Sequence, residues 1–254
     1  MINYFGEYKF LSVLGITDQK EKAIWCTSDM IEDCIYRAGQ YSIYSVEEQI
    51  KQGFITAANG ERIGLAGEYV SEKGKAITIR NFTSIFIRVP HIVVGSGETF
   101  YRICMSDIAK NVLLISAPGL GKTTILRDVA RILSDKTQKN ILLCDERGEL
   151  GVGTLGISCD VLKFADKATA FESGIRAMRP DILITDEISD LDCQSIKRAI
   201  YAGVRVVASA HFSDIEHVIS PFYPLFDRYV LLDGNEIGKI KAVYDEQKRL
   251  IYSN

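Results

Sequence analysis

Two rhythms of apolar and polar residues divide the chain. From Asn111 onward, short apolar runs alternate with amphipathic stretches. The runs Val112 to Ile115, Ile141 to Cys144, Ile182 to Thr185 and Val204 to Ser209 have the length of buried strands. Between them, Lys122 to Leu133 sets Ile125, Leu126, Val129, Ile132 and Leu133 on one helical face, and Ala168 to Met178 and Leu191 to Tyr201 also read as helices. Strand and helix in alternation predict a parallel sheet covered on both faces, and such sheets bind ligands at the carboxyl ends of their strands. The tail from Arg228 to Tyr252 predicts one or two strand pairs turning at Asp233-Gly234-Asn235 and Asp245-Glu246-Gln247.

Upstream the rhythm shortens. Phe54 to Ala58 and Glu61 to Tyr69 read as strands joined by Asn59-Gly60, a pair that tolerates the positive φ of a tight hairpin turn. Ser84 to Val89 reads as another strand, ended by Pro90. Ser45 to Gln52 reads as a helix, with the Ser45 hydroxyl as its cap and Glu48 three residues on. The organisation expected is α/β: a parallel-sheet domain over residues 106–254, preceded by a smaller α+β domain over residues 1–105. No internal repeat or low-complexity tract interrupts it.

Composition narrows the partners. Charge is balanced at -3 over 254 residues, with Lys and Arg scattered among Asp and Glu, so no footprint for nucleic acid is expected. The six cysteines have no Cys-x-x-Cys spacing, which suits buried thiols in a reducing compartment and neither disulfides nor zinc. No apolar run reaches the ~18 residues of a membrane span, and the amino terminus lacks a leader pattern. The expectation is a cytoplasmic chain with no span of its own.

The first sheet strand runs into Ser116-Ala117-Pro118-Gly119-Leu120-Gly121-Lys122-Thr123-Thr124, which matches the phosphate-loop pattern G-x-x-x-x-G-K-[ST] except for Ser116 at the first glycine. Backbone amides from Gly119 to Thr124 would face phosphates at a helix amino terminus, Lys122 would reach the β- and γ-phosphates, and Thr123 would bind magnesium. ATP and Mg2+ are the implied ligands. Asp181-Ile182-Leu183-Ile184-Thr185-Asp186-Glu187 is an apolar strand ending in two acids. Asp186 would hold magnesium through water, and Glu187 would orient or deprotonate the water that attacks the γ-phosphate.

Several residues leave alternatives open. Asp145-Glu146-Arg147-Gly148-Glu149 follows the second sheet strand and either lends an acid such as Glu149 to the attacking water or magnesium, or is a solvated loop. His211 ends a further strand, where an imidazole either senses the γ-phosphate or is structural. Ser213-Asp214-Ile215-Glu216 reads as a capping box that leads straight into a helix. Arg176 and Arg179, just before the acidic strand, either reach a phosphate, of their own subunit or as an arginine finger of a neighbour's, or form salt bridges. His91 and His217 are assigned no role.

The chain resembles a known family, the stage III sporulation protein AA of spore-forming Firmicutes. The likeness runs from about Tyr41 to His211. It rests on Tyr-Ser-Ile-Tyr-Ser-Val-Glu-Glu-Gln-Ile-Lys-Gln-Gly-Phe-Ile-Thr (41–56), Gly-Glu-Arg-Ile-Gly-Leu-Ala-Gly (60–67) and the phosphate-loop helix at 121–128. Asp-Glu-Arg-Gly-Glu-Leu (145–150), the acidic strand (176–188) and Tyr-Ala-Gly-Val-Arg-Val-Val-Ala-Ser-Ala-His (201–211) complete it. The first forty residues match poorly. That family is similar to the hexameric ATPases of type II and type IV secretion and pilus assembly. The resemblance implies an RecA/AAA-like P-loop NTPase core, an aspartate box of Asp145, Glu146 and Glu149, and His211 in a histidine box. It also implies a homo-oligomeric ring, expected to be a hexamer, peripheral at the mother-cell side of the forespore membrane. There it would dock to membrane channel proteins of the same sporulation operon. A nucleic-acid-dependent motor and an ATP-binding scaffold without turnover are the competing readings; the scattered charge disfavours the first and Glu187 the second.

Overall fold

The computed structural model describes residues 1–4, 7–72, 75–90, 92–106, 110–218, 221–223 and 225–254, so His91 lies outside the described residues. Contacts divide the chain into two compact units, one of residues 1–58 and 62–88 and one of residues 59–61 and 89–254.

In the first unit, strands β1 (Ile2–Tyr4), β2 (Glu7–Ser12) and β3 (Gly15–Thr17) form an antiparallel meander. Helix α1 (Ser28–Ala38) follows, a helix absent from the sequence expectation. The Thr27 hydroxyl accepts the Met30 amide at 3.3 Å, and Ile31, Ile35 and Ala38 recur at helical spacing on the buried face. Helix α2 (Glu47–Lys51) is shorter than expected and is not capped by Ser45, whose hydroxyl donates to the carbonyls of Ser42 and Gly39 at 2.7 and 3.1 Å. That serine is spent on closing the preceding 3-10 turn, Ile43–Val46. Strands β4 (Phe54–Thr56), β5 (Arg62–Glu72) and β6 (Lys75–Arg88) form a second antiparallel sheet. The β5–β6 pair extends well beyond the expected runs, with register shifts at two points. Ile31, Ile35, Ile50, Ile55, Ile63 and Ile79 build one small core between these helices and this sheet.

The second unit opens with helix α3 (Glu98–Cys104), which buries Phe100 and Cys104 in that unit's core. Strand β7 (Val112–Ile115), helix α4 (Lys122–Lys136), strand β8 (Ile141–Asp145), strand β9 (Cys159–Lys163), helix α5 (Lys167–Met178), strand β10 (Ile182–Thr185), helix α6 (Cys193–Tyr201) and strand β11 (Arg205–Ala210) follow. The chain ends in β12 (Arg228–Leu232), β13 (Ile240–Asp245) and β14 (Leu250–Ser253). The eight strands form one sheet in the order β14-β13-β12-β7-β11-β10-β8-β9. The six from β12 to β9 are parallel, and the last two strands add antiparallel at one edge.

Alternate side chains face opposite layers, as a pleated strand requires. Val112, Leu114, Leu143, Ile184 and Val207 pack with α3 and α4, whereas Leu113, Ile115, Leu142, Leu183 and Val206 pack with α5 and α6. Strand β9 escaped the sequence reading because it is an edge strand with Asp160 and Lys163 interleaved among apolar residues, and no helix separates it from β8. The connecting loop is instead pinned to α4 by the Ser134 hydroxyl, which accepts the Ser158 amide at 2.8 Å. The helix expected after Ser213 does not form. Asp214 accepts the amides of Glu216 and His217 at 3.0 and 3.1 Å, which satisfies the cap donors in a single turn, and Pro221, which has no amide to donate, opposes its extension. Among the described residues no helix is long and apolar enough to cross a membrane.

Candidate active site

Register places the site before any side chain is considered. Thr185 pairs with Ala208 on one side and Cys144 on the other, and Ala210 pairs with Ile115. Continued by one residue, that register sets Asp186 beside Asp145 and His211 beside Ser116. Four neighbouring strands therefore deliver their chemistry to one edge of the sheet.

The loop from Ser116 to Gly121 leaves β7 and enters α4 with Gly121 as amino-terminal cap at φ +90°. That angle lies in the left-handed region, and a Cβ there would press on the Gly238 backbone nitrogen at 3.3 Å, so glycine is required twice over. The Gly238 amide also donates to the Leu120 carbonyl at 3.0 Å, which fastens the β12–β13 connection to the loop. Ser116 is buried, and its hydroxyl and carbonyl lie 3.2 and 2.9 Å from the Lys122 ammonium. A serine therefore fits the first position of the loop without disturbing it. Lys122 also donates to the Ala117 carbonyl at 3.0 Å and lies 3.0 Å from Nδ1 of His211. Burial lowers its pKa to about 8, against the pull of the Glu187 charge. Thr123, partly buried, and Thr124, whose carbonyl accepts the Ser96 hydroxyl at 3.3 Å, complete the first turn of α4. Ala117, Pro118 and Gly119 form the outer bend of the loop, with Gly119 at φ +79°.

The acidic side is assembled from three strands. Asp186 is buried, and its pKa is pushed up to about 7, first by desolvation and then by the negative charges of Asp145 and Glu187. Glu187 adopts φ +45°, uncommon for a residue with a side chain, while its amide donates to the Ser209 hydroxyl at 3.1 Å. Its Oε1 lies 3.4 Å from Nε2 of His211, and its Oε2 is gripped by the Arg147 guanidinium. The carboxylate of Asp145 accepts the amides of Glu149 and Gly151 at 3.0 and 2.7 Å and so holds its own loop in shape. Arg127, on the phosphate-loop helix, donates to the carbonyls of Glu149 and Leu150 at 2.5 and 3.2 Å, which couples that loop to α4. Glu146 pairs with Lys167 at 2.6 Å.

Lys122, Asp186, Glu187 and His211 are thus brought together, with Glu149 in the adjoining loop. Arg176 and Arg179 are not. They close helix α5 at the opposite edge, before the amino end of β10, and Arg176 pairs with Glu172 at 3.4 Å. Arg127, Arg147 and Lys167 escaped the sequence reading as site residues. Only Arg147 carried a signal, by standing inside the acidic segment after β8. The arrangement can seat a phosphate group against Lys122 and the amides at the start of α4, with an acid and an imidazole on its far side.

The whole-chain comparisons agree with this architecture. The family model described as "Sporulation stage III, protein AA" matches residues 12–251, a span wider than the motifs from Tyr41 to His211. The chain is 34% identical over 236 residues to the stage III sporulation protein AA of Bacillus subtilis (strain 168), covering 85% of this chain and 76% of that one. It is 29% identical over 141 residues to the protein SEEDLING PLASTID DEVELOPMENT 1 of Arabidopsis thaliana, covering 52% of this chain and 20% of that one. Among solved structures, the ATPase DotB of Legionella pneumophila superposes with a TM-score of 0.54 at 13% identity, covering 87% of this chain and 70% of that one. The pilus retraction motor PilT with bound ADP superposes with a TM-score of 0.55 at 14% identity, covering 91% and 70%. At such identity these likenesses establish the fold alone, that of a P-loop NTPase. With the match running through nearly the whole sequence, the chain belongs to the stage III sporulation protein AA family.

Proposed function

We propose that the chain binds ATP with magnesium and hydrolyses it, and that in a homo-oligomeric ring it powers a secretion-like channel between mother cell and forespore. The observation that carries this reading is the convergence of Lys122, after β7, and of Asp186 and Glu187, after β10, on one edge of the sheet with His211 between them. The donors suit magnesium. Thr123 and Asp186 offer hard oxygen ligands, and among the described residues there is no cluster of three His, Cys, Asp or Glu of the kind an all-protein metal cage would need. When bound, the ion would neutralise charge that develops on the phosphates, with Thr123 and Asp186 as the residues that would hold it. The chain's own groups do the rest. Amides of the loop and the Lys122 ammonium hold the β- and γ-phosphates in line, and Glu187 orients the attacking water or takes its proton. His211 stands where it would register the γ-phosphate, and Glu149 is next in line as an acid if Glu187 is removed.

The position of the arginines removes one of their readings, a phosphate of their own subunit. The four residues of β10 span about 13 Å, so Arg176 and Arg179 at its amino end serve a phosphate only across a subunit boundary. The experiment is complementation with phosphate release as readout. A double variant lacking Arg176 and Arg179 but with a sound phosphate loop, mixed with a Lys122→Ala subunit, should regain partial activity that neither has alone. A monomer turning over at full rate at high dilution, or mixtures that never complement, would refute shared sites. Docking to membrane proteins encoded alongside the chain is part of the same proposal, and co-purification from sporulating cells tests it.

A further inference from the structure

Four charged or titratable side chains form a continuous line along the edge that holds the site. Arg147, from the loop after β8, holds Oε2 of Glu187 after β10; Oε1 of Glu187 lies 3.4 Å from Nε2 of His211 after β11; and Nδ1 of His211 lies 3.0 Å from Nζ of Lys122 after β7. The order of contacts, Arg147 to Glu187 to His211 to Lys122, is the order of the strands, β8-β10-β11-β7. In this arrangement both oxygens of Glu187 are engaged, and the Arg147 guanidinium draws on the charge that would activate a water. Lys122 likewise spends its donors on the Ser116 and Ala117 carbonyls and on His211, contacts that a phosphate must replace. A bound nucleotide would therefore have to break into this line. Its one member with no task in phosphate-loop chemistry is Arg147.

We propose that Arg147 is a γ-phosphate ligand of its own subunit and the residue that distinguishes ATP from ADP. This rests on the ATPase reading above. When ATP is seated, the Arg147 guanidinium exchanges the Glu187 carboxylate for γ-phosphate oxygens, and Glu187 is released to take the attacking water. With ADP there is no such competitor and the Arg147–Glu187 pair persists. Three features favour the exchange. A guanidinium fork matches phosphate as well as carboxylate, and the γ-phosphate carries the larger charge. The Arg147 side chain is 51% exposed and that of Glu187 28%, so the pair is only partly desolvated and weak enough to give up. The left-handed backbone at Glu187 fixes its carboxylate between Arg147 and His211, within one side chain of the lysine that receives the phosphates.

The test measures binding of magnesium with ADP, and with a non-hydrolysable ATP analogue, to the full chain and to its Arg147→Ala, Arg147→Lys and Lys122→Ala variants. Arg147→Ala should weaken the analogue about ten- to a hundredfold, the scale of a charge-assisted hydrogen bond, and leave ADP within about twofold. Arg147→Lys should fall between, because it keeps the charge and loses the fork. Intact ADP affinity also certifies that the variant is folded; if Arg147→Ala loses it together with its melting transition, Arg147→Gln is read instead. Equal loss for both nucleotides, or no loss for either, overturns the role of Arg147. A parent chain that binds neither nucleotide, or a Lys122→Ala chain that binds both as well as the parent, would sink the nucleotide reading and this inference with it.

Discussion

The two ends of the parallel sheet carry the same kinds of side chain and do different things with them. At the amino ends, Asp181 accepts the Asn140 amide at 2.9 Å and pairs with Lys139 at 3.3 Å, and Arg176 pairs with Glu172 along α5. These ion pairs are largely in water, and the one that joins two strands, Lys139 with Asp181, links only the neighbours β8 and β10. At the carboxyl ends, Lys122, His211, Glu187 and Arg147 are linked across four strands, and buried Asp186 and Lys122 have pKa values displaced toward neutrality. Charge type is the same at both ends. Desolvation and cross-strand contact make one of them a candidate for chemistry.

The contrast can be broken by substitution. The largest effect is expected for Lys122→Ala, which should remove nucleotide binding at concentrations that saturate the parent chain, measured by titration calorimetry; undiminished affinity would end the phosphate-loop assignment. Next, Glu187→Gln should keep nucleotide affinity and cut turnover about a hundredfold or more, the range of a lost general base. Unchanged phosphate release would move that role to Glu149.

Smaller effects sharpen it. Arg127 is buried and donates to two carbonyls of the loop that carries Arg147, so Arg127→Ala should cost about 2–3 kcal/mol in denaturant unfolding, leaving buried acceptors unpaired. A cost near zero would mean that this loop is ordered by Asp145 alone. For Asp186 the sign is set by a raised pKa. Its carboxylate is ionised above about pH 7 and protonated below, and magnesium requires the ionised form. Magnesium-dependent nucleotide binding should therefore weaken by up to about tenfold per unit as pH falls below 7, and fall again above about pH 8, where the Lys122 ammonium loses its proton. Weakening that begins only near pH 4 would place Asp186 in water. The smallest effect belongs to the amino-end edge, where Lys139→Ala should change stability by less than about 0.5 kcal/mol and nucleotide affinity not at all.

How much of this could be read from the residues follows from what each signal depends on. The four central strands and the three helices between them were legible because burial on both faces demands continuous apolar runs and one-sided helices demand a 3.6 period. The phosphate loop was legible because its chemistry lies in consecutive residues. Helix α1 carries a threonine cap and the Ile31, Ile35, Ala38 spacing, but exposed apolar residues within it, Met30 and Tyr36, blur its two faces in the sequence. Ser45 and Ser213 illustrate the opposite error. A capping pattern states what a hydroxyl or carboxylate is able to accept, and local turns made the competing bonds first.

The sequence by itself determined the α/β class, the loop and acidic strand that face one another, and the family. Tertiary structure alone decided which charges meet. Strand order is a long-range choice, and the sequence does not say that β11 and β10 stand between β7 and β8. Only that order brings Arg147 to Glu187, and His211 to Lys122, 89 positions away along the chain. It also sends Arg176 and Arg179 to the far edge, although they lie within eleven residues of Glu187 in sequence, because a parallel strand carries its two ends to opposite sides of the sheet.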